Sequence, residues 1–336
     1  MKKFNIGIAL NHSWFFSKEF GNSLGIVEAE PKTVFNKACE ITNNICNGFQ
    51  KTYAHNEIDL NGLIQLGQES MIFYTDPEIY EYISAIPKMT RSKDYQIFPY
   101  IHVQNNAWPE MDDFIDKIKP NFKRALDFKD KAVCVHLNVA DKDNTNNILQ
   151  KTILGLTRPQ YIRLIEKYKR IICYENNHHQ SYFGYPENIV NLYEKLDKKL
   201  IELGKEHLIR YYSFCFDVGH LMSQLFKAKR NIRINFKKFY EIFGDRIQTF
   251  HLHTNSGAWD DHIIPLPYKE LIKKDPLKYN PQTTDKHTRA LWDTLKTWKK
   301  VTEHSEKERW FIFELDIPYT PQQAYEIGQK LGESLS

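Results

Sequence analysis

The chain has 336 residues, and its 46 Lys and Arg against 42 Asp and Glu give a formal net charge of only +4. This balance gives no general argument for nucleic-acid binding, because the lysines are scattered along stretches typical of a solvated helix face. The length suffices for one large α/β domain, and no break in composition divides it. We therefore predict a single domain over residues 1–336.

The N-terminus and the cysteines predict a cytoplasmic protein. The first ten residues, MKKFNIGIAL, are too short and too polar for a signal peptide, and no stretch is apolar over the length of a membrane span. The five cysteines form no Cys-x-x-Cys motif and are odd in number, which is typical of reduced thiols. We expect no membrane partner, and whether the chain forms a homo-oligomer stays open.

Short apolar strand candidates alternate with longer amphipathic segments along the whole chain. Such alternation is typical of repeated βα units around a parallel sheet. The predicted strands are residues 5–10, 71–74, 97–103, 132–137, 171–174, 213–216, 248–253 and 310–315. Eight units predict a closed (β/α)8 TIM barrel, in which residues at the C-terminal ends of the strands are the functional candidates.

Proline and capping residues mark the helix starts. Pro77 is predicted to begin the helix after the second strand. Thr157 is predicted to cap a helix that Pro159 leads, and Thr320 to cap the last helix ahead of Pro321.

Two stretches account for most of the length beyond a minimal barrel. Residues 51–70 fit a helix or an irregular loop equally well. Residues 265–284 follow the loop of the seventh strand and are predicted to cover the barrel mouth.

Side chains that bind metals stand at the ends of six consecutive predicted strands, and the loop after strand seven adds two more. They are His102, His136, Glu175, Asp217 with His220, the pair His251 and His253, Asp260, His262 and Glu314. A single histidine or glutamate at a strand end is usually hydrogen-bonded or solvated. Carboxylates and imidazoles that converge on one mouth are costly without a cation. The pattern predicts a divalent metal, and mixed oxygen and nitrogen ligands suit Mn²⁺, Zn²⁺, Fe²⁺ or Co²⁺.

The alternation of side chains along each strand distinguishes the two histidines of strand seven. Cys134, Cys173 and Cys215 each precede a candidate ligand by two residues, as His251 precedes His253. Residues two apart point the same way, so these four are predicted to lie one layer deeper. We therefore predict His253 as the ligand and the cysteines as small core residues.

Neighbours of the ligands are candidates for substrate contact. Asn176 and Asn177 follow Glu175 and are predicted to hydrogen-bond a polyol or a phosphate. Trp259 and Tyr268 fit an aromatic wall at the mouth or plain hydrophobic anchors equally well.

The motifs ICYEN, FCFDVGH, FHLHTNSGAWDDH and FIFELD resemble those of the xylose isomerase-like TIM barrels. This superfamily includes sugar phosphate isomerases and epimerases and endonuclease IV (AP endonuclease family 2). The isomerase and epimerase branch implies one metal, held by Glu175, Asp217, His253 and Glu314, with His220 contacting the substrate. The two glutamates would then be catalytic and move a proton through an enediolate of a carbohydrate.

The endonuclease IV branch implies a different reaction. In that branch three zinc ions share nine ligand positions, which correspond here to His102, His136, Glu175, Asp217, His220, His251, Asp260, His262 and Glu314. Resemblance then implies phosphodiester cleavage at abasic sites in DNA. With a single metal, His102, His136 and Asp260 would instead serve the substrate or the structure.

This sequence departs from both branches at three places, and the third departure favours one of them. The loop after His262 reads IIPLPYKEL without a glycine, and Trp259 stands where some keto-sugar epimerases have an arginine. Asp261 stands where the DNA endonucleases typically have a basic residue, and an acid there disfavours a DNA backbone. The sequence therefore favours a metal-dependent isomerase or epimerase of a small carbohydrate, with the endonuclease as the alternative.

Overall fold

Eight parallel strands pair in chain order and close into a barrel. They are β1 (Lys2–Leu10), β2 (Ile58–Leu66), β3 (Ile97–His102), β4 (Ala132–His136), β5 (Ile171–Glu175), β6 (Tyr212–Asp217), β7 (Ile247–Leu252) and β8 (Arg309–Glu314). The computed structural model describes residues 2–10, 31–54, 58–66, 77–89, 95–103, 107–128, 131–137, 145–177, 181–257, 260–267, 281–314 and 320–336. The predicted (β/α)8 barrel is confirmed.

Amphipathic helices surround the barrel. They are α1 (Pro31–Thr52), α2 (Pro77–Met89), α3 (Phe114–Asp127), α4 (Thr145–Thr157), α5 (Pro159–Tyr168), α6 (Pro186–Glu202), α7 (Val218–Lys227), α8 (Ile232–Phe243), α9 (Pro281–Val301) and α10 (Pro321–Leu335). In the part of the chain that the structure describes, no helix has both the length and the apolar character needed to cross a bilayer.

The second barrel strand is not where the sequence predicts it. Residues 58–66 form β2, which pairs with β1 over its whole length, whereas residues 71–74 lie outside the described part of the chain. Asn61-Gly62 reads as a turn signal in the middle of IDLNGLIQL, which hides the strand. Position 62 has no room for a larger side chain, because a Cβ on Gly62 would lie 2.7 Å from Ile97 Cγ1 and 2.8 Å from Thr42 Cγ2. The undecided stretch 51–70 thus contains the end of α1 and all of β2.

The predicted helix starts at Pro77, Pro159 and Pro321 are confirmed, but the predicted cap Thr157 is wrong. Pro77 begins α2, and Thr320 caps α10 in a capping box with Gln323. Thr157 instead ends α4 and donates its hydroxyl hydrogen to the Ile153 carbonyl, so Arg158 takes the cap position of α5. The threonine satisfies its hydroxyl within its own helix, which a sequence pattern cannot distinguish from capping.

Two apolar clusters fill the molecule. The larger lies between the barrel and its helices, and the smaller fills the barrel interior. The interior cluster contains Cys134, Cys173 and Cys215 beside Tyr100 and Trp310. It closes the barrel from below, so the strand ends above it are accessible only from the mouth.

Candidate metal centre

The ten predicted ligand side chains come together at the C-terminal mouth in three adjoining groups, and within each group the ligand atoms lie within 4.8 Å of one another. The first group is His102, His136 and Glu175, the central group is Glu175, Asp217, His251 and Glu314, and the outer group is His220, His253, Asp260 and His262. Glu175 belongs to both the first and the central group. It therefore bridges them.

His251 lies in the middle of the central group. Its Nδ1 is 3.0 Å from Glu175 Oε1, 3.4 Å from Glu314 Oε2 and 3.8 Å from Asp217 Oδ2. The imidazole is fully buried. One nitrogen facing three carboxylates at these distances is a donor set that suits a divalent cation.

The structure brings His251, rather than His253, to the two glutamates. β6 pairs Phe214 with Ile247 but Cys215 with Thr249, so β7 has an extra residue in the form of a bulge. Asp217 consequently lies level with His251. The prediction of His253 counted residues along each strand. Such a count takes account of neither the bulge in β7 nor the stagger between strands of a closed barrel.

The first group is built on Glu175 Oε2. His102 Nε2 lies 2.9 Å from this oxygen and His136 Nε2 lies 3.2 Å from it. His102 Nδ1 is 2.9 Å from the Val103 carbonyl oxygen, which can only accept, so Nδ1 carries the hydrogen. Nε2 is thereby left to face the site, as in a metal-binding histidine.

The outer group is built on Asp260, in the loop after β7. Its Oδ2 is 3.0 Å from His220 Nε2 and 3.1 Å from His262 Nε2. His262 has a left-handed backbone, with φ 45°, and the following residue, Ile263, is paired antiparallel with Thr254. A left-handed histidine costs free energy, so the loop conformation is enforced by its surroundings.

Asp217 connects the central and outer groups and also caps α7. Its Oδ1 accepts a hydrogen bond from the His220 backbone N at 2.6 Å and lies 3.1 Å from His253 Nε2. Asn176 holds the backbone of Asp217 through two hydrogen bonds. Gly219 makes room for the ring, because a Cβ there would lie 2.0 Å from His253 Cε1.

Gln65 is a site residue that the sequence analysis missed. Its Oε1 lies 2.9 Å from His251 Nε2, and its Nε2 donates to Glu314 Oε1 at 2.8 Å. An amide oxygen only accepts, so His251 carries a hydrogen on Nε2 and presents Nδ1 to the carboxylates. Gln65 lies on β2. Because that strand was not recognised in the sequence, Gln65 was not identified as a residue of the site.

Glu175 is held ionised by the imidazoles around it. Burial raises the pKa of Glu175, but His251, His136 and His102 outweigh it and hold this pKa well below its usual range. Burial lowers the pKa of His251, but Glu175 and Glu314 outweigh it and raise this pKa to about 10. The central group thus takes up positive charge to balance its carboxylates.

The outer group shows the same balance. Burial raises the pKa of Asp260, yet His220 and His262 outweigh it and hold this pKa well below its usual range. Burial lowers the pKa of His262, but Asp260 outweighs it and raises this pKa to about 10. His136 differs, because burial dominates and lowers its pKa to about 3, which keeps its imidazole neutral.

The donor set fits divalent metal ions. Four largely buried carboxylates gather in one mouth, and within the described residues the Nδ1 atoms of His253 and His262 are buried without a hydrogen-bond partner. Buried carboxylates beside imidazole nitrogens form a mixed donor set that divalent ions take, and buried Nδ1 lone pairs need a partner of some kind. The predicted divalent metal therefore suits the residues, and they do not specify which ion.

The other residues predicted to contact the substrate make structural hydrogen bonds or lie outside the described residues. Asn177 is buried and donates to the Leu137 carbonyl at 2.8 Å, which connects the ends of β5 and β4. Trp259 and Tyr268 lie outside the described residues, so the aromatic wall stays a prediction. The Asp261 carboxylate accepts hydrogen bonds from the backbone and the hydroxyl of Ser256, so part of its charge is directed into the loop.

The cysteines are core residues, as predicted. None of the five forms a disulfide, and all are buried. Cys134 Sγ lies 3.4 Å from Glu175 Oε2, and Cys173 Sγ accepts a hydrogen bond from Thr249 at 3.3 Å. Cys134, Cys173 and Cys215 belong to the barrel-interior cluster beneath the candidate ligands.

Comparisons with known proteins identify the fold class. No family model matches the sequence, and no curated protein matches it significantly. Among solved structures, a D-tagatose 3-epimerase-like protein is similar at 14% identity and a TM-score of 0.57, covering 100% of this chain and 98% of that one. The IOLI protein with a bound zinc atom is similar at 11% identity and a TM-score of 0.51, covering 100% and 95%. Endonuclease IV from Thermus thermophilus is similar at 12% identity and a TM-score of 0.51, covering 99% and 98%.

These structures are xylose isomerase-like TIM barrels, and this chain has their fold. At such low identities the likeness extends to the fold alone, and both branches of the superfamily are represented. Function must therefore be argued from the site.

Proposed function

We propose that this protein is a multinuclear metal-dependent hydrolase of phosphate esters, with abasic DNA the first substrate to test. The observation that carries the proposal is the assembly of the ten candidate side chains into adjoining groups joined through Glu175 and Asp217. A single-metal enzyme needs only the central group. The close approach of the two outlying groups supports more than one metal ion.

The residues divide among the ions by contact. His102, His136 and Glu175 would hold one ion, the central group a second, and His220, Asp260 and His262 a third. Bound divalent ions in such a cluster lower the pKa of water and stabilise charge on phosphoryl oxygens. The His253 ring stacks on the His262 ring at a centroid distance of 4.2 Å and would hold His262 in place as a ligand of the third ion.

The chain's own groups orient this cluster and limit access to it. The Val103 carbonyl and Gln65 fix the hydrogens of His102 and His251, so the free nitrogens point inward. His136 and His262 are the most exposed of the ligands, with side-chain exposures of 18% and 19%. The substrate's phosphate would therefore approach between these two imidazoles, since the floor beneath is closed.

The second candidate is the sugar isomerase or epimerase that the sequence favoured. The observation for it is that Glu175 and Glu314 both lie within 3.4 Å of the His251 Nδ1, so the central group alone supplies one metal site with two carboxylates. Two such carboxylates can remove and return a proton. This reaction leaves Asp260 and His262 without a role in the chemistry.

A paired substitution in the loop separates the two candidates. Asp260→Asn should lower hydrolysis of abasic duplex DNA, or of bis(p-nitrophenyl) phosphate, by roughly a hundredfold, because it removes a ligand of the outer group. Asp261→Asn is the matched control, since its carboxylate bonds to Ser256. It should retain activity to within a few-fold of wild type.

The same proteins should be tested for proton exchange from ketoses in D₂O. Wild-type protein loaded with Zn²⁺, Mn²⁺ or Fe²⁺ should hydrolyse a phosphodiester and show no exchange. Exchange that survives Asp260→Asn, together with no hydrolysis of either phosphodiester, would refute the hydrolase and support the isomerase.

A further inference from the structure

A strongly basic cavity lies at the junction of α7, α8 and α9. Its volume is ≈ 670 Å³, within the range of about 300–1,000 Å³ that is usual for small-molecule sites. Six cationic side chains line it: Lys227, Lys229, Arg230, Arg233, Lys286 and Arg289. We call it the basic cavity.

Acidic residues outside the lining neutralise part of the charge of the basic cavity. Among the described residues that line it, none is Asp or Glu. Arg230 pairs with Glu187, and Arg233 pairs with Asp293. Among the described residues no ion pair is found for Lys229, Lys286 or Arg289. Like charges repel in a concave lining, so this concentration of cations is unfavourable without an anionic partner.

The backbone adds further positive potential. α8 begins at this cavity, and its cap residue Asn231 and first residue Ile232 both line the wall. The N-terminus of a helix attracts anions through its free N–H groups and its dipole. Lys229 has a left-handed backbone with φ 53°, a conformation that usually falls to glycine, so its place in the lining costs free energy.

The basic cavity lies at the same end of the barrel as the metal centre. α7 begins at the Asp217 cap, places His220 in its first turn and ends at Lys227 in the cavity wall. Seven residues of helix extend about 10 Å. Phe226, at the wall, contacts the His287 ring, which is itself bonded to the Asn255 carbonyl in the loop after β7.

We propose that the basic cavity binds an anion with several phosphate groups. The cations come from three segments that line one space, which favours a ligand with charges distributed over several ångströms over a single small ion. The phosphates of a polynucleotide strand and a free polyphosphate share this chemistry. This inference does not depend on the metal chemistry proposed above.

Binding to metal-free protein tests the proposal. A 12-residue single-stranded oligodeoxynucleotide and inorganic tripolyphosphate serve as probes, each titrated at 50 and 200 mM salt. The double substitution Lys286→Glu/Arg289→Glu should weaken binding at least tenfold and reduce the salt dependence, because phosphate contacts are lost. Lys195→Glu/Lys198→Glu on α6 makes the same change of charge elsewhere and should change affinity less than twofold.

The two probes distinguish the sources of the ligand. Tighter binding of the oligonucleotide by tenfold or more assigns the site to a nucleic-acid backbone, and equal or tighter binding of tripolyphosphate assigns it to a free polyphosphate. If the charge-reversal variant Lys286→Glu/Arg289→Glu does not fold, the charge-neutralising variant Lys286→Gln/Arg289→Gln takes its place. The proposal is overturned if neither probe binds wild-type protein below 1 mM, or if the α6 control loses as much affinity as the cavity variant.

Discussion

At the residue scale, the hydrogen bond from His251 to Gln65 determines which nitrogen faces the three carboxylates of the central group. Gln65 also donates to Glu314, so a single amide positions a nitrogen and an oxygen ligand together. Outer partners of this type fix ring orientation and typically contribute one to two orders of magnitude in metal affinity. Gln65 is a positioning residue, because it acts through His251 and Glu314.

We predict that Gln65→Leu weakens metal binding by roughly 10–100-fold, because it removes both bonds while keeping a buried side chain of similar size. Competition against a chromogenic chelator measures the effect. Gln248→Leu is the matched control, since Gln248 is a buried barrel glutamine that donates to Glu308 at the opposite end of the strands. Equal losses in the two variants would show that Gln65 acts only on stability.

The ligand types could be predicted from the sequence, whereas their grouping could not. Each ligand follows an apolar strand, which is a local signal that identifies the mouth residues. The choice between His251 and His253 depends on the bulge in β7 and on stagger, which are properties of strand pairing. Gln65 stayed hidden because its strand was not recognised.

At the element scale, β2 shows how a local signal can mislead. IDLNGLIQL contains Asn-Gly, a strong turn signal, while the run MIFY further along has higher β-propensity. Pairing with β1 and β3 and the tight contact at Gly62 outweigh these preferences. The other seven strands were predicted to within three residues at each end, because none of them contains a comparable turn signal.

α9 is attached to the loop that supplies Asp260 and His262. His287 Nδ1 donates to the Asn255 carbonyl at 3.0 Å, and the Trp292 indole donates to the Pro265 carbonyl at 3.2 Å. Burial lowers the pKa of His287 to about 4, because a charged imidazole is poorly solvated beneath the loop. The loop and the helix therefore remain docked most stably when this histidine is neutral.

We predict a specific loss of stability in acid. An unfolded histidine takes up a proton near pH 6.5 and the folded one near pH 4, so the unfolded state binds more protons between these values. The free energy of unfolding should fall by on the order of 3 kcal/mol as pH drops through this window. His287→Gln should remove that part of the slope, as measured by urea unfolding at several pH values.

The control for this prediction is His207→Gln, because the His207 side chain is 60% exposed. Its slope should match that of wild type. Parallel stability curves for wild type and His287→Gln would contradict a neutral His287.

At the scale of the whole molecule, the small net charge of +4 conceals a separation of charge. The mouth gathers four largely buried carboxylates, and the basic cavity gathers six cationic side chains at the same end of the barrel. The carboxylates come from four separate segments, and the cavity combines the basic run 227–233 with Lys286 and Arg289, so the overall composition gave no sign of either group. Closure of the barrel creates both, because it brings strand ends and helix starts to one rim.

The metal content of the protein tests the central claim most directly. The chain should be purified without a chelator or a histidine tag, and its metals counted by elemental analysis. The multinuclear centre predicts two or three Zn, Fe, Mn or Co ions per chain, and fewer in Asp260→Asn. One ion per chain, unchanged in Asp260→Asn and after reconstitution with excess metal, would contradict the multinuclear centre and leave only the central group as a metal site.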